Sequence, residues 1–152
     1  MNEEIGIRPA TSADVAALVG LVRGYWDFEG IDGFDPVQVE ALLRELLDAP
    51  VHGRIWLATV SGRPAAYLLG VYIFSLEFRG MTAEIDEFYV LPAHRGLGLG
   101  TRLLATAEEA FRAAGCRYLA LRIGRDNGAA RGFYQRHGFR ERNGFDIIDK
   151  TL

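Results

Sequence analysis

Apolar positions change their period several times along the chain, and each change marks an element. Residues 5–8 read as a short strand. Thr11, with Asp14 three residues on, can start a helix in which Val15, Leu18, Val19 and Val22 recur at helical spacing. The segment 24–33 is aromatic, acidic and punctuated by glycines, and reads as a loop. Asp35-Pro36 is a good cap followed by a favoured first helical residue. The helix it starts would bury Val39, Leu42, Leu43, Leu46 and Leu47, and Pro50 stops it.

Further on, 54–60 and 64–74 flank Ser61-Gly62-Arg63 as a hairpin, and a turn at 77–81 leads into a long strand over 83–91. From about Gly98 a helix carries Leu103, Leu104, Ala107, Ala110, Phe111 and Ala114 on one face, with Gly115 placed for a left-handed cap. A strand over 117–123, a helix over 127–137 and a final strand over 139–152, bent early at Asn143-Gly144, complete the pattern. The predicted order is β-α-α-β-β-β-α-β-α-β. Strands and helices are mixed around a central meander, so the fold class is α+β, with a mixed central β-sheet flanked by helices, in a single domain over 1–152. Regular βαβ alternation is absent, which excludes a doubly wound fold.

Composition narrows the function classes. Hydrophobic residues make up 49% of the 152 and charged ones 24%, ordinary values for a globular protein. The longest apolar run, 67–74, falls far short of the roughly 20 residues a membrane span needs. A formal charge of −3 argues against nucleic acid as the main partner. The start of the chain is acidic and lacks the apolar core of a signal peptide, and the single Cys116 fits a reducing compartment, so a cytoplasmic location is expected. His52, His94 and His137 have no paired carboxylate or cysteine spacing around them, and no metal site is expected.

The most informative stretch runs from Val90 to Thr101. An apolar strand ends at Pro92, and Arg95, Gly96, Leu97, Gly98, Leu99, Gly100 and Thr101 lead into the helix. Glycines here let backbone approach a ligand, and a helix N-terminus presents unpaired amides and a favourable dipole to an anion. A phosphate cradle follows, with Arg95 as a fixed cation. A dinucleotide fingerprint would need a glycine at the sixth position, where Thr101 or Leu103 stands, and the lysine of a nucleoside-triphosphate loop is missing.

Arg-x-x-Gly-x-Gly, from Arg95 through Gly98 to Gly100, resembles the pyrophosphate loop of the GNAT N-acetyltransferase superfamily. Asn127-x-x-Ala130-x-x-x-Tyr134-x-x-x-Gly138-Phe139 is similar to that family's second cofactor-contacting helix, and the segment 83–90 resembles its central strand. The resemblance is strong over 64–139 and rests on element order alone in the first 60 residues. It implies an acetyl-CoA-dependent N-acetyltransferase that moves an acetyl group directly to a primary amine, most simply that of a small molecule. A protein N-terminal or lysine acetyltransferase, or a non-catalytic acyl-CoA-binding module, are the alternatives. The family also admits a homodimer.

The same resemblance implies cofactor contacts from Val90 and Leu91, whose N–H groups could meet the thioester carbonyl. Further contacts come from residues 95–101 and from Asn127, Ala130 and Tyr134. Tyr134 is the candidate general acid, with an aromatic packing role as the plain alternative; Asn127 reads equally well as a helix cap. For the base, Glu84 and Asp86 share a face by strand alternation while Glu87 points opposite, unless a bulge exchanges the faces. Aligned on Val90, Glu84 falls where some members of the family have their catalytic glutamate, and Asp86 lies nearer the expected thioester; Glu87, or no protein base, is the alternative. Tyr25, Trp26 and Glu29, in the aromatic segment, together with Glu77 near the hairpin turn, are candidates for the acceptor wall, since aromatic faces and carboxylates suit a cation.

Overall fold

A computed structural model describes residues 2–152 in two compact units, one ending at Arg122 and one spanning Ile123–Leu152. The first holds a five-stranded sheet in the order β1-β2-β3-β4-β5, made of β1 (Ile5–Pro9), β2 (Gly53–Val60), β3 (Arg63–Ser75), β4 (Gly80–Val90) and β5 (Leu119–Leu121). The first four strands pair antiparallel and β5 joins β4 in parallel, so the sheet is mixed. Helices α1 (Val15–Glu29), α2 (Pro36–Asp48) and α3 (Leu99–Ala113) cover it.

Strand alternation sorts the core into two layers. Ile55, Leu57, Tyr67, Leu69 and Tyr89 face α1 and α2, where they bury Val15, Leu18, Leu21, Val22, Val39 and Leu43. Their neighbours Trp56, Gly70 and Tyr72 face α3, whose Phe111 ring packs edge-on against Trp56 and Tyr72. Arg8 grips Asp14 through two bonds of 2.7 and 2.8 Å, which fixes β1 to the single helical turn ahead of α1.

Several elements differ from the sequence expectation. The loop expected over 24–33 is helix as far as Glu29. It ends at Gly30, whose φ of 69° supplies a left-handed cap, with Ile31 N–H returning to the Trp26 carbonyl at 2.9 Å. Leu42, expected in the core, is 56% exposed, because α2 buries only the narrower stripe of Val39 and Leu43. The strand expected over 117–123 shortens to β5.

The second unit holds one helix, α4 (Gly128–Arg136). The final strand expected over 139–152 does not form. A strand needs a ladder partner, and this unit contains no other strand; Phe145, Ile147, Ile148 and Leu152 are exposed.

Candidate active site

The glycine loop has the form its sequence requires. After the single helical turn Pro92–His94, Gly96 and Gly98 take φ values of 80° and 79°, a region that side-chain-bearing residues rarely enter. Gly98 is the N-cap of α3 and offers no side-chain cap. The first intrahelical bond runs from the Arg102 N–H to the Gly98 carbonyl. The amides of Leu99 and Gly100 therefore have no acceptor within the helix and project from its positive end. A Cβ placed on Gly96 or Gly98 would meet nothing within 4 Å, so the loop is open on its outer side. The Leu99 side chain is buried in the core and anchors the helix start, while Leu97 is exposed on the loop. A diphosphate fits this donor set: several convergent N–H groups, no competing cap, and Arg95 on the same loop.

Arg95 is tied to the end of β4. Its Nε donates to the Val90 carbonyl at 3.1 Å, and its guanidinium lies 5.0 Å from the Phe28 ring centre and 5.6 Å from that of Tyr89. The two expected backbone donors of β4 divide here. Leu91 gives its N–H to the Ala65 carbonyl at 2.9 Å, so it cannot also serve a thioester. Val90 is opposite Ala66 in the ladder and points its backbone the other way, towards the side where pairing with β5 has stopped at Ile85.

The three carboxylates of β4 are rearranged by a bulge. Glu87 pairs with Leu69 but Ile85 with Gly70, which leaves Asp86 as the extra residue. Directly paired residues share a face, so Glu84, opposite Val71, and Glu87, opposite Leu69, both lie on the α1 face. Simple alternation had placed them on opposite sides. Glu84 pairs with Arg122 at 3.1 Å. Glu87 accepts from Trp26 Nε1 at 2.8 Å and from the Tyr67 hydroxyl at 2.7 Å.

Burial raises the Glu87 carboxyl above the usual range, opposed by its two hydrogen bonds and helped by the charge of Asp86. Asp86 is exposed overall, yet protein crowds its carboxyl enough to raise it too; Glu84 adds to the shift and Arg122 opposes it. The buried Tyr67 phenol is pushed far above the phenol range, by burial and then by Glu87, so it remains a donor. Tyr25 rises to about 12, from burial and then from Glu29, Glu87 and Asp86. Its ring meets those of Tyr67 and Tyr89 edge-on at 6.5 and 6.2 Å.

Tyr25, Trp26 and Glu29 thus stand on the last two turns of α1, above β3 and β4. Glu77 does not join them. It is exposed in the turn beyond Ser75, and six steps along β3 of about 3.4 Å each separate Ser75 from Leu69, the partner of Glu87. The sequence missed Tyr67, which looked like an ordinary core position; only the Glu87 bond gives its hydroxyl a role.

In the second unit, Asn127 Oδ1 accepts from the Ala130 N–H at 3.1 Å and caps α4. The Ala130 amide is thereby taken into the helix cap. At the other end Gly138, with φ 87°, closes the helix: its N–H returns to the Gln135 carbonyl and that of Phe139 to the Tyr134 carbonyl. The Phe139 ring then packs edge-on against Tyr134, centres 5.3 Å apart. The spacing Tyr134-x-x-x-Gly138-Phe139 is the signature of this helix ending.

A family model described as the acetyltransferase (GNAT) family matches residues 18–139. The chain belongs to the GNAT acetyltransferase family. It is an N-acetyltransferase, and its acyl donor is acetyl-CoA. Among relatives of this GNAT protein, the aminoalkylphosphonate N-acetyltransferase of Salmonella typhimurium is 32% identical over 140 residues, covering 89% of this chain and 84% of that protein. An aminoglycoside N(6')-acetyltransferase type 1 of Stenotrophomonas maltophilia is 34% identical over 118 residues, 75% of this chain and 72% of that one. The solved structure of aminoglycoside N-acetyltransferase AAC(6')-Iy in complex with CoA shares its fold, with a TM-score of 0.87 at 19% identity, covering 100% of this chain and 98% of that one. No helix among the described residues is long and apolar enough to cross a membrane.

Proposed function

We propose that this GNAT protein acetylates a primary amine of a small molecule by direct transfer, with no covalent enzyme intermediate. The observation that carries the reading is the aromatic and acidic wall formed by Tyr25, Trp26, Glu29, Asp86 and Glu87 on one side of β4, with the anion-binding loop at the end of the same strand. Aromatic faces and carboxylates attract an ammonium, and helix-end amides attract a diphosphate. The two relatives named above act on small amines according to their names, which favours a small acceptor over a peptide.

In this reading Gly96, Gly98, Leu99, Gly100 and Thr101 hold the pyrophosphate through backbone amides, and Arg95 neutralises it. Acetyl-CoA supplies the thioester whose C–S bond gives way to the new C–N bond. The Val90 N–H is aimed to receive the carbonyl oxygen as charge develops on it. A carboxylate drawn from Glu84, Asp86 and Glu87 takes the proton that an ammonium must lose before it can attack. Tyr134, assigned from its place in the α4 motif, returns a proton to the departing sulfur.

The test is acetyl-CoA turnover against a panel of small amines and a lysine-containing peptide, followed by thiol release. Saturable release with one or more small amines, and none with the peptide, is expected. Turnover of the peptide alone would replace this reading with a protein acetyltransferase.

A further inference from the structure

The β4 carboxylates differ sharply in what holds them. Glu84 is matched to a cation, since Arg122 Nε sits 3.1 Å from it and occupies its carboxylate. Asp86 occupies the bulge and is exposed. Glu87 is pinned at both oxygens by neutral donors from two other elements: Oε2 by the indole of Trp26 on α1, Oε1 by the phenol of Tyr67 on β3. Each oxygen keeps a second lone pair, and the side chain is only half-buried. The carboxylate plane is therefore fixed beside the aromatic wall, with no salt-bridge partner among the described residues.

We infer that Glu87 is the group that accepts the acceptor's proton, and that Trp26 and Tyr67 are its positioning residues. The inference rests on the amine-acetylation reading above and names the base within it. In the step, an N–H bond of the ammonium breaks, its electron pair stays on nitrogen, and the proton passes to a Glu87 oxygen and later to solvent. The neutral amine is then the nucleophile. Two neutral donors orient the carboxylate without cancelling its charge, as an arginine would. The titratable and charged groups around Glu87 are Tyr25 and Glu29 from α1, Tyr67 from β3, and Asp86 and Tyr89 on its own strand, with the Glu84–Arg122 pair beyond Asp86 and Arg95 over the Tyr89 ring. From α2 the cluster receives apolar side chains, Val39 and Leu43 with Leu46 and Leu47 at its edge. The acidic company and the burial both raise the proton affinity of Glu87, which brings it closer to that of an amine.

The experiment compares wild type, Glu87→Gln, Trp26→Phe and Tyr67→Phe. Acetyl-CoA turnover is measured from pH 5 to 9 with 2-aminoethylphosphonate and with neamine, and acetyl-CoA affinity by calorimetry. Glu87→Gln is expected to lose about 100-fold or more in kcat with acetyl-CoA affinity intact. Trp26→Phe and Tyr67→Phe keep their rings and lose one donor each, so the acid limb of the pH profile moves to higher pH. A structural role alone would leave that limb in place. Glu87→Gln activity within threefold of wild type, or an unmoved limb in both donor variants, overturns the inference while leaving the acetyltransferase reading intact. If wild type turns over neither amine, these acceptors are wrong, and a carbon-13 titration of the Glu87 carboxyl still decides. A value above the ordinary glutamate range that rises further in both donor variants supports the inference. A value in the ordinary range overturns it.

Discussion

Ala83 on β4 and Leu91, the residue just past its end, lie eight residues apart but send their N–H groups to opposite neighbours, Ala83 to the Tyr118 carbonyl beside β5 and Leu91 to Ala65 on β3. An even separation on a regular strand sends both the same way. The reversal is the work of the single extra residue at Asp86. It turns the Val90 N–H away from β3 and brings Glu87 to the α1 face. One inserted residue sets the direction of the Val90 N–H and the face of Glu87 together.

The Val90 amide is therefore open to a direct test. Replacing it by an ester oxygen, through incorporation of the α-hydroxy analogue of valine, removes one N–H and no β3 ladder donor. Turnover should fall by about 100-fold, the usual cost of an oxyanion donor, with thermal stability nearly unchanged. Equal kcat in the ester protein would remove Val90 from the mechanism.

Arg95 reaches the loop from a seat on Val90, Phe28 and Tyr89. Its removal in Arg95→Ala should weaken acetyl-CoA binding by roughly 10-fold or more, as expected for a lost charged hydrogen bond. Binding of acetyl-pantetheine, which lacks the diphosphate, should be unaffected. Calorimetry with the two ligands separates a diphosphate contact from general damage to the site.

Gly98→Val forces a β-branched residue to φ near 79° at the cap of α3. Left-handed geometry costs such a side chain on the order of 1–2 kcal/mol or more. Because a Cβ there meets no neighbour within 4 Å, the protein should still fold. Acetyl-CoA should then give no thermal shift; a full shift would show that the first-turn amides do not hold the donor.

Tyr134→Phe keeps the ring that Phe139 packs against and removes only the hydroxyl. A fall in kcat of about 100-fold with unchanged acetyl-CoA affinity is expected for a general acid. Unaltered kcat would leave Tyr134 a packing residue of the helix ending.

Away from the site, the Arg8–Asp14 pair makes a stability prediction. Hydrogen bonds from Arg8, against the opposing effect of burial, lower Asp14 from 3.8 to about 2. A depressed folded-state value means the contribution is fully present above about pH 4 and is lost as pH falls through 2. Asp14→Asn should destabilise the protein by about 1–3 kcal/mol near neutrality, and the difference from wild type should shrink below pH 3. A constant difference across that range would show that the charge is not what stabilises the turn.

What the sequence determined by itself was whatever depends on near neighbours. The hairpin at Ser61-Gly62, the cap at Asp35, the left-handed glycines before α3 and the α4 ending at Gly138 all follow from local backbone preferences. Local spacing carried the family as well, since a pyrophosphate loop and a helix ending are both built from consecutive residues. Tertiary structure decided the rest. Helix α1 runs to Glu29 because Tyr25, Trp26 and Phe28 find aromatic and carboxylate partners on β3 and β4, and that packing overrides the glycine punctuation of the segment. Which β4 carboxylates share a face depended on a bulge. Which of them is held by neutral donors depended on a tryptophan 61 residues away in the chain and a tyrosine 20 residues away. Strand alternation is a local rule, and a one-residue insertion inverts it; where that insertion falls is fixed by pairing with β3, a long-range contact that no short window of sequence contains.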